Sequence, residues 1–160
     1  QREEVGQVDL FTRLVADKTV SDEYAHPIET VTYKCRIVRI QCGGRRYLRK
    51  ELLWPHLDEY VDKTIKFIKR EKQLPNNVHG HYPDAGYAAM QLAEIFGLPF
   101  FYTGHSLGRS KLNRLLNDGM RAKEINRRYK IDHRIAMEEE ILKAADLVVT
   151  STNQEIEVQY

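Results

Sequence analysis

No apolar run in this chain approaches the roughly 20 residues that a helix needs to cross a bilayer, so nothing in it reads as a membrane span. Nor does the opening QREEVGQVDL join a basic stretch to an apolar one. That leaves no sign of a secretory signal and makes the cytoplasm the simplest expected location. Cysteine is scarce: Cys35 and Cys42 fall in or beside one expected strand, without CxxC spacing or a zinc-type histidine cluster, and read as buried free thiols. Net charge is only +2, so attraction of the whole molecule to nucleic acid is weak, and any anion it binds is expected to be small. Among the local cations only Tyr47 and Tyr129 offer aromatic rings, too few for a platform on which bases stack. What is present is an ordinary globular composition, 42% hydrophobic and 30% charged, in 160 residues that suit one domain with a real core.

Two strands are expected to open the chain, Val8 to Val15 and Arg36 to Cys42, separated by polar turn material from Ala16 to Ile28. From Trp54 the apolar positions Trp54, Leu57, Val61, Ile65 and Ile68 recur at steps of three and four, which predicts an amphipathic helix ending near Glu71 with Pro55 in its first turn. A short strand then runs into His79, and a helix over roughly Tyr87 to Phe96 stops at Gly97. The pattern repeats as strand Leu98 to Thr103, helical segments from Lys111 to Ala145, strand Leu147 to Thr150 and a helix start at Thr152. Leu112, Leu115, Leu116, Ile135, Ile141 and Leu142 read as core positions. Alternating strands and helices, with strands that barely alternate in polarity, predict an α/β fold: a Rossmann-like parallel sheet with helices on both faces. Ligands of such sheets sit at the carboxyl ends of the strands, here Cys42 to Lys50, His79 to Gly86, Gly104 to Lys111 and Thr150 to Asn153.

Three chemistries compete for those segments. Gly104-His105-Ser106-Leu107-Gly108 satisfies G-x-S-x-G, the nucleophile elbow of α/β-hydrolases, yet the only later histidine is His133, inside a charged helix rather than on a strand-end loop. His79-Gly80-His81 places two imidazoles on one side of a strand and could serve a metal, against a plainer role in which His79 packs and His81 bonds loop backbone. The cations fit a phosphate site: Lys50 closes the loop after the second strand, Lys111 follows the Gly104 turn, and Lys123, Arg127, Lys130 and Arg134 fall on one helical stripe. Backbone N–H groups at the glycine turn would add donors. Against this, the stripe reads equally as a solvated face paired with following acids, such as Arg134 with Glu138.

The string HGHYPDAGYAAMQLAEIFGLPFFYTGHSLGRSKLNRLL, with INRRYKIDHRIAMEEEILKAADLVVTSTNQEIEVQY after it and VDLFTRLV to GGRRYLRKELLWPHLDEYVD before it, resembles the amino-terminal domain of sucrose-phosphate synthases. The likeness covers nearly the whole chain, and GHSLGRSK with STNQEI is its most specific part; related sucrose synthases share some of these motifs. The resemblance implies the amino-terminal half of a GT-B fold in a retaining glycosyltransferase of family 4. Such an enzyme moves glucose from UDP-glucose, its co-substrate, to fructose 6-phosphate, with no essential metal or other cofactor. It further implies that Lys50, Tyr82, Ser106, Lys111 and Arg134 hold the acceptor, with Lys111 and Arg134 toward its phosphate. His105 would hydrogen-bond the reacting sugar and favour charge build-up on the departing pyrophosphate rather than act as nucleophile. A GGQ-containing loop and the carboxy-terminal nucleotide-sugar domain of that family are not found in the sequence, so the 160 residues alone are expected to bind acceptor weakly and not to turn over.

Overall fold

The structure, a computed structural model, describes residues 3–153 and 155–159, in two units that divide between Glu71 and Lys72. In the first, strands β1 (Val8–Arg13), β2 (Ile28–Thr32) and β3 (Cys35–Ile40) form a sheet in the order β1-β3-β2, with β1 parallel and β2 antiparallel to β3. β2 begins where the expected turn material ends, at Ile28, in a stretch before Arg36 for which no strand was expected. Its residues IETVT are mostly β-branched, but the strand sits at the edge of its sheet with four of five side chains exposed, so no apolar run marks it. It is placed by backbone pairing, Ile28 opposite Val38, with a register shift between Thr30 and Thr32, and by Glu29, which accepts from Arg39 Nη2 of β3 at 2.5 Å.

Helix α1 (Leu57–Glu71) buries Leu57, Val61, Thr64, Phe67 and Ile68, close to the expected stripe. Trp54 and Pro55 precede it in a separate 3-10 turn, Trp54–His56. Phe67 packs on Val38 and Ile40 and meets Phe11 edge to face at 5.6 Å. Arg36 ties β1 to the end of α1, pairing with Asp9 at 2.8 Å and Glu71 at 3.0 Å. Burial pushes the Asp9 carboxyl up, but the bonds from Arg36 and Gln7 outweigh it and hold the group below its usual 3.8. Of the two free thiols, Cys42 is buried as expected, whereas Cys35 is only half-buried.

The second unit alternates β4 (Val78–His81), helix α2 (Tyr82–Phe96), β5 (Phe100–Thr103), helices α3 (Gly108–Asn117), α4 (Ala122–Tyr129) and α5 (Ile131–Ala144), and β6 (Leu147–Val148). Its three strands are all parallel in the order β4-β5-β6, the α/β arrangement that the alternation predicts. Ala89 and Ala93 of α2, Phe100 and Tyr102 of β5 and Ile141 of α5 make its core. Helix α2 starts at Tyr82, five residues before the expected Tyr87, and ends at Gly97 in the left-handed conformation, φ 65°. It sits directly on β4 through a glycine pair: a Cβ on Gly80 would meet Gly86 Cα at 2.7 Å, and one on Gly86 would meet the Tyr102 ring at 2.6 Å. Leu116, expected in the core, is exposed at the end of α3. The expected helix after Thr152 is a π-type segment, Glu155–Gln159, and Gln154 of the STNQEI motif lies outside the described residues. No helix among the described residues is long and apolar enough to cross a membrane.

Candidate functional site

Parallel pairing sets His79 beside Phe101 and His81 beside Thr103, so both histidines reach the carboxyl ends of β4 and β5 together with the turn that follows β5. There His79 Nε2 lies 2.9 Å from the Thr103 hydroxyl, and His81 Nδ1 lies 2.9 Å from His105 Nε2. The His81 and His105 rings stack at 5.2 Å, and Tyr82 lies against His105 with centroids 4.8 Å apart. Tyr82 and His105 are both left-handed, φ 65° and 59°. For residues with a Cβ each such conformation costs roughly 1–3 kcal/mol and persists only where the surroundings enforce it.

Burial pushes the His79 and His81 imidazoles below their ordinary 6.5, and the neighbouring rings add to the depression, His81 and His105 acting on His79 and His105 acting on His81. At neutral pH both are therefore neutral hydrogen-bonding rings, suited to hydroxyl groups rather than to anions. Among the described residues no group of three or more His, Cys, Asp and Glu side chains is placed to hold a metal ion.

The Gly104–Gly108 turn differs from a hydrolase elbow in where its strain lies. The positive φ falls on the exposed His105 and not on Ser106, and no bond joins the Ser106 hydroxyl to a histidine among the described residues. The turn is fastened instead from α5. Arg134 Nε donates to Glu138 Oε1 at 2.7 Å, Arg134 Nη2 donates to the Ser106 carbonyl, and Glu138 Oε2 accepts the Gly108 N–H at 2.5 Å. Arg134 and Glu138 are 7% and 3% exposed, so the pair, for which the sequence offered a solvated face as the alternative to a phosphate site, is buried. Of the backbone N–H groups at the glycine turn, that of Gly108 is already satisfied by a carboxylate.

The other predicted residues divide. Lys111 stands on α3 with Nζ 4.0 Å from the centre of the Tyr129 ring, a cation held over an aromatic face. Lys123, Arg127 and Lys130 do not continue the Arg134 stripe, because Lys130 adopts φ 51° and breaks the helix between α4 and α5. Lys50 is exposed in the first unit, where it opens the short turn Lys50–Leu52. The loop before it is pinned by Arg13, whose guanidinium donates to the carbonyls of Cys42 at 2.9 Å and Arg46 at 2.8 Å. A cleft of about 370 Å³ in the first unit contains none of the predicted site residues, so its volume does not locate the chemistry.

Sequence reasoning missed Thr103, Arg13 and Glu155, and it offered Glu138 only as a partner for Arg134 on a solvated face. Only Glu155 had a local signal, the T-x-x-E spacing of a capping box after β6. Thr152 Oγ1 accepts the Glu155 N–H at 3.2 Å, while the Glu155 carboxylate takes the Ser151 N–H at 2.6 Å. That backbone bond is the main reason the Glu155 carboxyl is held below its usual range, and His105 adds to it.

Comparison with known proteins gives the family and the fold. The family model described as "Sucrose synthase first GT-B domain" matches residues 4–159. Probable sucrose-phosphate synthase 1 of Oryza sativa and sucrose-phosphate synthase of Zea mays are each 42% identical over 98% of the chain. The chain spans 17% of the length of both. The solved structure of sucrose-phosphate synthase from Thermosynechococcus elongatus superposes with a TM-score of 0.73 at 27% identity, covering 94% of this chain and 33% of that one.

Proposed function

Because the chain belongs to the sucrose synthase first GT-B domain family, we propose that it is the acceptor side of a retaining hexosyltransferase that moves glucose from UDP-glucose to fructose 6-phosphate. In that reaction the bond from glucose C1 to the UDP oxygen breaks, a bond from C1 to the fructose C2 oxygen forms, and the proton of that hydroxyl leaves with the UDP. Neither a metal nor an organic cofactor enters the proposed chemistry. The grip on UDP falls to a carboxy-terminal domain of the kind found in that family, and the proposed setting is the cytoplasm.

The observation that carries this reading is the cluster of His81, Tyr82 and His105 at the ends of two parallel strands, beside a turn backed by Arg134. Neutral imidazoles and a phenol match sugar hydroxyls. His105, exposed at the tip, hydrogen-bonds the reacting sugar, and Ser106 beside it offers a hydroxyl to the acceptor. Lys111, with Arg134 behind the turn, supplies positive charge for the acceptor phosphate. Arg134 has committed its Nε–H and one Nη2–H to the protein, which leaves the other Nη2–H and the two on Nη1 for a ligand.

The family's name favours a second reading, with unphosphorylated fructose as acceptor. A product assay separates the two. The chain is grafted in place of the matched segment of the maize relative and supplied with UDP-glucose and either fructose or fructose 6-phosphate. A charge-assisted bond contributes roughly 1.5–3 kcal/mol, so Lys111→Ala is expected to raise KM for fructose 6-phosphate about 10- to 100-fold. KM for UDP-glucose should stay unchanged. Equal use of fructose and fructose 6-phosphate, with Lys111→Ala inert, would abandon the phosphate site.

A further inference from the structure

We propose that Glu138 is a positioning residue, which holds the His105–Ser106 turn in its strained shape by fastening its carboxyl side from α5, directly at Gly108 and through Arg134 at Ser106. The proposal rests on the reading above only for what His105 does; the positioning itself is a property of this chain. Three facts meet at one carboxylate. Oε2 accepts the Gly108 N–H at 2.5 Å, three residues after His105. Oε1 accepts Arg134 Nε at 2.7 Å, and the guanidinium so oriented donates through Nη2 to the carbonyl of Ser106, the residue after His105. Both charged side chains are more than nine-tenths buried, where an ionised group is tolerated only when it is paired and hydrogen-bonded.

The approach is close by necessity. A Cβ on Gly108 would meet Glu138 Oε2 at 2.9 Å and Ile135 Cγ1 at 2.8 Å, so glycine at this position lets the first turn of α3 rest against α5. Between the fastened Ser106 carbonyl and the end of β5 at Thr103, only Gly104 and His105 are left to make the bend. The bend is closed by the Ser106 N–H, which donates to the Gly104 carbonyl at 2.7 Å. His105 takes φ 59° as a result, and its ring meets His81 at 2.9 Å. Glu138 thus acts on His105 through Arg134, Ser106 and Gly108, without touching substrate.

The second left-handed residue supplies an internal control, since Tyr82, φ 65°, follows β4 and lies outside this clamp. The test is nuclear magnetic resonance on the 160-residue chain, reading the strong intraresidue amide-to-Hα cross-peak that a positive φ produces. In Glu138→Gln an NH2 donor replaces one of the two carboxylate oxygens, so in this geometry either the Gly108 N–H or Arg134 Nε faces a donor instead of its acceptor. The expected result is loss of the His105 cross-peak and of the His81–His105 ring contact, with the Tyr82 cross-peak kept. Ile141→Val, which thins the core without touching the turn, should keep both cross-peaks.

Arg134→Lys is the second variant. It retains one positive charge but cannot bond Glu138 and the Ser106 carbonyl through a planar fork, and it should release His105 in the same way. A folded Glu138→Gln or Arg134→Lys chain that keeps the His105 cross-peak would overturn the proposal. So would failure of both to fold, which would make the pair a requirement of the fold rather than a positioning device. In the grafted enzyme Glu138→Gln should lower kcat at least tenfold while changing KM for UDP-glucose less than threefold. If His105 moves in the chain while kcat holds, the positioning stands and the role given to His105 fails.

Discussion

Gly80→Ala places one methyl group between β4 and α2, and its effect can be worked from the geometry. The added Cβ would lie 2.7 Å from Gly86 Cα, 2.9 Å from the Ala85 carbonyl oxygen and 3.0 Å from Gly86 N. All three are backbone atoms, so no side-chain rotation relieves the contact. Carbon atoms rest at about 3.5–4.0 Å, and α2 must therefore retreat by roughly 1 Å. Gly86 cannot yield toward the core, because the buried Tyr102 ring stands close behind it. Overpacking of this kind costs roughly 1–3 kcal/mol, and the rigid neighbours argue for about 3, more than a hundredfold in the folding constant. With a urea dependence of about 2 kcal/mol/M, the midpoint should fall by about 1.5 M.

The assay must follow the second unit. Trp54, the single tryptophan, belongs to the first, so its fluorescence is the wrong probe. Amide exchange at Tyr102 and Ile141 during a urea series reports the right one, with Gly6→Ala, whose new Cβ would meet nothing within 4 Å, as the control. A Gly80→Ala midpoint within 0.3 M of the parent, a change below about 0.6 kcal/mol, would refute the claim that the glycine pair sets the β4–α2 spacing.

Acid should weaken the same unit. His79 and His81 titrate below 6.5 in the folded chain, so between those values and 6.5 the unfolded chain holds more protons. Their contribution is therefore complete above pH 6.5 and is lost as pH falls through the folded values; urea midpoints between pH 5 and 8 should decline on the acid side, and His81→Gln should flatten the decline. A midpoint that rises on acidification would contradict the assignment. Thiol labelling should find Cys35 first, because burial both hides Cys42 and pushes its thiol pKa up. Labelling of Cys42 ahead of Cys35 without denaturant would show that the end of β3 opens readily.

How much of this was legible beforehand depends on the range of the forces involved. The α1 stripe was visible because a helix repeats its buried positions every three or four residues, and the stop at Gly97 because a left-handed cap favours glycine. Thr152 accepts the Glu155 N–H, the forward half of a capping box whose T-x-x-E spacing is written in the chain, while the Glu155 carboxylate returns to the N–H of Ser151. In contrast, β2 left no apolar signature, since an edge strand with exposed side chains is specified by its partner's unpaired backbone. The stripe from Lys123 to Arg134 misled because a helical projection assumes unbroken helix, and Lys130 breaks it.

The sequence by itself determined the α/β alternation, the family and the short motifs HGHY and GHSLGRSK, because these rest on local pattern. Tertiary structure decided which of those residues meet. It brought His81 within 2.9 Å of His105 across 24 positions and set Glu138 against Gly108 across 30. It also turned Arg134 from an exposed cation into half of a buried pair. The physical reason is that strand pairing and helix packing join distant segments, and only burial decides whether a charge faces water, a ligand or another charge.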